Sequence, residues 1–95
     1  MPSLLEDWYV RQCDGEWEHS FGVKIATLDN PGWSLTVDLA ETRKDGAVLE
    51  KVFIERSEND WICYRTAENR FEVYCGPKNL SEAVKLFVDW FDAPA

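Results

Sequence analysis

The spacing of apolar residues predicts a helix near each end of the chain. In residues 3–13 the apolar positions recur every three or four residues, and Ser3 followed by Glu6 matches a capping box. Residues 79–91 show the same period in a wider stripe, and Asn79 followed by Glu82 resembles a second capping box. The predicted buried faces consist of Leu4, Leu5, Trp8 and Tyr9 in the first helix and of Leu80, Ala83, Val84, Phe87 and Phe91 in the second.

Between these helices the apolar period changes to two, which is typical of strands with one buried face. The strands are predicted at residues 21–26, 33–39, 49–56, 61–66 and 71–75. The strongest hairpin signal is Asp29–Asn30–Pro31–Gly32, because proline presets φ at one central position and glycine accepts a positive φ at the next. The other connections within the strand region contain turn residues and are short, which favours antiparallel neighbours.

These elements predict an α+β fold. We expect an antiparallel meander of about five strands, with an N-terminal and a C-terminal helix packed on it. The chain has 95 residues, too few for two domains that each bury an adequate core, so we expect a single domain over residues 1–95.

The charge balance restricts the class of partner. The net charge is −8, from 18 acidic and 10 basic residues, and residues 1–20 alone hold five acidic residues and one basic residue. A field of this sign repels phosphate backbones and attracts basic proteins. We therefore expect a protein partner and no nucleic acid.

The compartment follows from three further features of the sequence. The chain has three cysteines with no CxxC spacing, its first residues lack the pattern of a signal peptide, and no apolar run is long enough to span a membrane. We expect a cytoplasmic protein with reduced thiols that does not bind membranes.

His19 is the only histidine, and it lies among carboxylates. A hydrolase needs a base beside its nucleophile, and a metal site usually needs two or more imidazole or thiolate ligands. Asp14, Glu16 and Glu18 could add oxygen ligands, but they lack the glycine-centred turn of a calcium loop. We expect no catalytic residue, no metal and no cofactor, with His19 hydrogen-bonded to backbone or to a carboxylate. The alternatives are a metal-binding or enzymatic protein centred on His19 and a homo-oligomeric interaction module.

Trp17 stands apart from the other tryptophans. It is flanked by Glu16 and Glu18 in a segment, residues 16–20, that is predicted as a loop or the start of a strand. An aromatic residue between acids resembles an interface hot spot with a charged rim, while burial between helix and sheet is the alternative. Core positions are predicted for Trp33, Trp61 and Trp90, and for the small thiols of Cys13, Cys63 and Cys75.

Two stretches, QCDGEWEH at residues 12–19 and TLDNPGW at residues 27–33, resemble the Imm53 family of bacterial immunity proteins. The same pattern continues at other positions, so that the resemblance covers nearly the whole chain. These positions are Trp8–Tyr9, Ile54–Ser57, Asp60–Trp61 and Asp89–Trp90.

The resemblance implies a cytoplasmic immunity protein of a polymorphic toxin system, which binds a cognate toxin domain and neutralises it without catalysis. Many such toxins are nucleases with basic clefts, which an acidic partner could occlude. The protein itself would be a monomer or a homodimer. The residues predicted to contact the partner are Asp14, Glu16, Trp17, Glu18 and His19.

Overall fold

A computed structural model of the protein describes residues 2–94, with side chains from Leu4 onward. The elements in chain order are α1 (Pro2–Gln12), α2 (Trp17–Ser20), β1 (Val23–Leu28), β2 (Gly32–Asp38), β3 (Val52–Ser57), β4 (Asp60–Ala67), β5 (Arg70–Cys75) and α3 (Leu80–Asp92). The predicted α+β fold is confirmed: five antiparallel strands form one sheet, with helices before and after it. The Ser3 side chain, and with it the first predicted capping box, lies outside the described residues.

The strand order in the sheet is β1-β2-β5-β4-β3, and every neighbouring pair is antiparallel. The order is sequential within the hairpin β1–β2 and within the meander β3–β4–β5, but it is not sequential between them. Residues 39–51, here called the crossover segment, lead from β2 to β3 at the far edge. β5 then returns beside β2, where Leu35 lies opposite Val73. This crossover explains why the sheet is not a fully sequential meander.

One face of the sheet carries the hydrophobic core. Directly opposite residues of antiparallel strands share a face, so Leu35 on β2, Val73 on β5 and the alternate residues beside them form one apolar surface. α3 packs on this surface through Ala83, Val84, Phe87, Val88 and Phe91, most of which belong to its predicted stripe. α1 lies beside α3, and its Trp8 ring meets Phe87 at 5.0 Å and Phe91 at 5.2 Å between ring centroids. We call this the inner face and the opposite one the outer face.

The start of α3 differs from the predicted capping box. Asn79 precedes the helix, but its side chain does not cap it. Instead, Asn79 Nδ2 donates to Asp60 Oδ1 at 2.9 Å and to Glu82 Oε1 at 3.1 Å. The side-chain amide of Asn79 therefore joins the start of β4 to α3, because it donates to a carboxylate of each element.

Gly32 has a different role from the predicted one. Positive φ angles at glycine occur at Gly15 and Gly46, and not at Gly32. Gly32 begins β2, pairs with Leu28, and lies so close to the Cys75 carbonyl oxygen that a Cβ atom would overlap it. The glycine is required for the close approach of two backbones rather than for turn geometry.

The crossover segment is fastened to the end of α3. Arg43 donates to the carbonyl oxygens of Asp92 at 3.4 Å and Ala93 at 3.3 Å, and Lys44 Nζ donates to that of Ala93 at 3.2 Å. The Arg43 guanidinium also lies 5.8 Å from the centre of the Phe91 ring. Cations at a helix C-terminus satisfy free carbonyl groups and complement the helix dipole, so this contact holds the segment over the core.

Candidate protein-binding surfaces

The acidic turn, residues 14–19, is a compact structure held by its own carboxylates. Asp14 Oδ1 accepts hydrogen bonds from the backbone N–H groups of Glu16 and Trp17, both at 2.9 Å. The Glu18 carboxylate accepts from the N–H groups of Asp14 at 3.0 Å and Gly15 at 2.9 Å. These bonds organise the start of α2, a short helix. The prediction of a loop or the start of a strand for this segment was therefore wrong.

The reciprocal hydrogen bonds also stabilise the ionised carboxylates. Backbone N–H groups of Trp17 and Glu16 hold the pKa of Asp14 below its usual range. The pKa of Glu18 is lowered too, first by its own backbone N–H and then by those of Asp14 and Gly15. Both groups are therefore charged at neutral pH, with part of their hydrogen-bonding capacity already satisfied within the turn.

Trp17 is buried, with 2% of its surface exposed. Its ring packs edge-on against Trp8 at 5.8 Å between centroids and lies near Phe21 at 6.3 Å. The indole Nε1–H donates to the Ala40 carbonyl oxygen at 3.0 Å, which ties α2 to the crossover segment. Of the two alternatives for Trp17, an exposed interface residue or a residue buried between helix and sheet, the structure shows the buried one.

Of the five predicted contact residues, the structure places Asp14, Glu16 and His19 at exposed positions, while Glu18 is half-buried. The His19 imidazole forms no hydrogen bond with any residue in the range 2–94, contrary to expectation, although its backbone N–H donates to the Glu16 carbonyl at 3.1 Å. Among the described residues, no three histidine, cysteine or acidic side chains cluster closely enough to hold a metal ion. The contact prediction for this turn stays a prediction.

A second surface, which we call the aromatic patch, lies on the outer face of the sheet. It consists of Phe53, Trp61, Cys63 and Tyr74. Cys63 lies directly opposite Phe53 on one side and Tyr74 on the other, so these three residues form one row across the strands. Phe53 is 56% exposed and Tyr74 is 36% exposed, and the Phe53 and Trp61 rings are 6.4 Å apart.

A shallow depression of about 450 Å³ lies at one end of this patch, beside Phe53 and Trp61. We call it the acidic depression, since its charged lining residues are Glu55 and Glu58; Asn30, Pro31 and Asn59 complete it. Both glutamates are exposed. Neither forms an ion pair with any partner in residues 2–94.

The arginine between these two glutamates is engaged elsewhere. Arg56 forms ion pairs with Asp60 at 2.8 Å and with Glu82 of α3 at 2.6 Å. Hydrogen bonds from Arg56 and then Asn79 hold the pKa of Asp60 below its usual range. The β3–β4 register shifts between Glu55 and Ser57. The positive charge of this hairpin is thus held against acids of the turn and of α3, while Glu55 and Glu58 line the depression.

A third surface is an apolar groove of about 470 Å³ beside the edge strand β1. Neither α1 nor α3 fully covers the inner face there, so that Ile25 is 43% exposed. The groove is lined by Leu5, Glu6, Tyr9, Gly22, Val23, Ile25, Leu80, Ser81 and Val84.

Comparison with known proteins decides the family. A family model described as immunity protein 53 matches residues 3–92. The chain belongs to the Imm53 family. The match spans α1 to α3, so the acidic turn, the aromatic patch and the groove all lie within the part shared with Imm53. No curated protein and no solved structure shows significant similarity to the chain.

The aromatic patch of this Imm53 protein was missed by sequence reasoning. Trp61 was assigned to the core, but it is half-buried on the outer face and does not join the core cluster. Trp33 and Trp90, also predicted there, do pack against the core. The one signal in the sequence was Phe53, because strand alternation places its side chain on the other face of β3 from Val52 and Ile54.

Two other expectations for this Imm53 protein can be compared with the structure. Of the three cysteines, Cys75 is buried as predicted, while Cys13 and Cys63 are half-buried. Burial raises the pKa of the Cys75 thiol to about 11. Within residues 2–94, the helices are all too short or too polar to cross a bilayer.

Proposed function

We propose that this Imm53 protein binds a toxin domain made beside it and neutralises that toxin by contact, without catalysing a reaction. Membership of an immunity protein family over residues 3–92 is the observation that carries the proposal. The proposal includes action in the cytoplasm, where a toxin of the same cell would have to be blocked.

The charge of the chain supports a basic toxin domain. With 18 acidic and 10 basic residues, the protein attracts a basic partner over a Debye length of about 8 Å at physiological salt. Electrostatic attraction of this kind raises the association rate and favours the correct orientation of two oppositely charged surfaces. A nuclease with a basic cleft for its phosphate substrate is the toxin class that fits best.

The predicted contact through the acidic turn is retained for its exposed members. Asp14, Glu16 and His19 are accessible, whereas Trp17 supports the turn from inside. In this proposal the turn presents charge, and Trp17 contributes by fixing its position rather than by touching the toxin.

Co-purification from the native operon tests the proposal. The tagged protein is expressed with its neighbouring genes, and an unrelated tagged protein of similar size and negative charge serves as the control for non-specific binding. We expect a stoichiometric complex with one neighbouring gene product, and expression of that product alone should stop growth unless this protein is present. If the neighbouring product remains lethal while this protein accumulates in folded form, the proposed function is wrong.

A further inference from the structure

We propose that the acidic depression, with Phe53 and Trp61 beside it, is a docking site for an arginine side chain on a basic partner protein. The inference rests on the proposed function and names the surface used. It follows from three observations: uncovered aromatic rings, unpaired carboxylates beside them, and paired charges elsewhere on the same sheet face.

The first observation is the exposure of aromatic rings where the sheet needs none for its core. Phe71, Val73 and the other inner residues of the central strands already pack under α3. On the outer face, Phe53 keeps more than half of its surface exposed, and no helix among the described elements covers it. Aromatic side chains of this kind form the centre of protein interfaces.

The second observation is the charge of the depression. Glu55 and Glu58 line it together with the two rings, and the arginine between them is held by Asp60 and Glu82. The depression is therefore lined by two free carboxylates and two aromatic side chains. A guanidinium matches this combination, because it stacks on aromatic rings and donates to carboxylates in a planar fork, whereas an ammonium does not stack in this way.

The third observation is that the carboxylates of Glu72 and Asp38, farther along the outer face, are already paired. Arg65 bonds to Glu72 at 3.2 Å, and Arg70 bonds to Asp38 at 3.1 Å. Lys51 lies beside Cys63 and Tyr74 at the other side of the patch. Attraction for a cation is thus confined to the end with Glu55 and Glu58.

The acidic turn offers less to such a cation, because Asp14 and Glu18 already accept hydrogen bonds from their own backbone. The apolar groove beside β1 has Glu6 as its single charged lining residue.

An NMR titration tests the site without requiring the toxin. The probe is a six-residue polyarginine peptide, added to the isotope-labelled full chain, with a polylysine peptide of equal length alongside. We expect the largest amide shifts at Asn30 and at residues 53–61, and tighter binding of the arginine peptide. The E55Q/E58Q variant should weaken arginine binding about tenfold. The E41Q/E50Q variant removes the same charge from two exposed glutamates elsewhere and should bind as the wild type does.

Two results of this titration would overturn the site. One is a set of shifts spread over the whole acidic surface; the other is an equal loss of binding in the two charge variants. Either would show general attraction to a negative protein rather than a built site.

The toxin domain obtained by co-purification then separates this inference from the proposed function. Phe53→Ala should raise the Kd for the toxin about tenfold or more, while Val48→Ala, at another exposed apolar residue, should leave it unchanged. If the wild type neutralises the toxin and Phe53→Ala binds equally well, the docking site is wrong and the function stands. If the wild type neutralises no toxin, the function fails, and the peptide titration still decides whether the site binds arginine.

Discussion

The Trp17→Ala variant removes an indole that is 2% exposed and that joins three parts of the molecule. The ring packs against Trp8 of α1, and its Nε1–H donates to the Ala40 carbonyl of the crossover segment. Truncation of a buried tryptophan to alanine costs about 3–5 kcal/mol in lost burial and cavity formation. Loss of the hydrogen bond contributes about 1 kcal/mol more. The total is large beside the roughly 5–14 kcal/mol that a domain of this length has available.

Urea unfolding followed by far-UV circular dichroism measures this effect without relying on tryptophan fluorescence. With a slope of about 1.5 kcal/mol per molar urea, a loss of about 4–6 kcal/mol should lower the midpoint of Trp17→Ala by about 3–4 M. Trp17→Phe keeps most of the apolar volume and should lose about 2 kcal/mol.

Trp61→Ala is the matched control, since Trp61 is half-buried on the outer face and outside the core cluster. It should cost less than about 1.5 kcal/mol. A Trp17→Ala midpoint close to the wild-type value, or an equal loss in the two alanine variants, would refute the structural role assigned to Trp17.

Three further predictions concern backbone packing, acid stability and thiol reactivity. Gly32→Ala should lower the free energy of unfolding by more than about 2 kcal/mol in urea melts, because the added Cβ overlaps the Cys75 carbonyl. The Cβ added in Gly22→Ala meets nothing within 4 Å, so this control variant should cost much less. Equal costs in the two variants would contradict the close approach at Gly32. The folded-state pKa values of Asp14 and Glu18 are lowered, so their contribution to stability is present above about pH 4 and is lost as the pH falls through the folded-state values. The D14N/E18Q variant should therefore flatten the decline of the urea midpoint between about pH 5 and 2.5. An unchanged decline would contradict this contribution of the two carboxylates. At pH 8 the Cys75 thiol, whose pKa is raised to about 11, should react with Ellman's reagent only after denaturation, while the two half-buried thiols react in the folded protein; three equal rates would contradict its burial.

The local patterns of the sequence were enough to predict the main helices and strands and the α+β fold class. Alternation identified the five strands, and the stripe on α3 identified the residues that cover the sheet. These signals are local, because the side-chain period of a helix or strand depends on neighbouring residues alone. The position of β5 beside β2 depends on pairing across the crossover segment, for which no local signal exists.

The faces of β4 show why the aromatic patch was not predicted. Trp61 and Cys63 alternate with Ile62 and Tyr64, so both faces of the strand are apolar and the period does not select the buried one. Packing of α3 selects Ile62, which leaves Trp61 outside.

The short helix α2 was not predicted for a related reason. Asp14 and Glu18 form short-range bonds to the backbone that begins α2, in a segment predicted as a loop or the start of a strand. The carbonyl oxygen that accepts the hydrogen bond from the buried Trp17 indole lies 23 residues away in the sequence, at Ala40. Sequence distance of this order conceals a contact that the folded chain makes directly.

The contact of α1 with α3 has a consequence for the timing of synthesis. Trp8 is translated well before Phe87 and Phe91, which enclose it. At about 5–20 residues per second, the interval between these ends is roughly 4–16 s. During that interval the early strands lack the helix that covers them, so the core closes only after α3 has been translated. The apolar inner face of each new molecule therefore stays uncovered until α3 has been made.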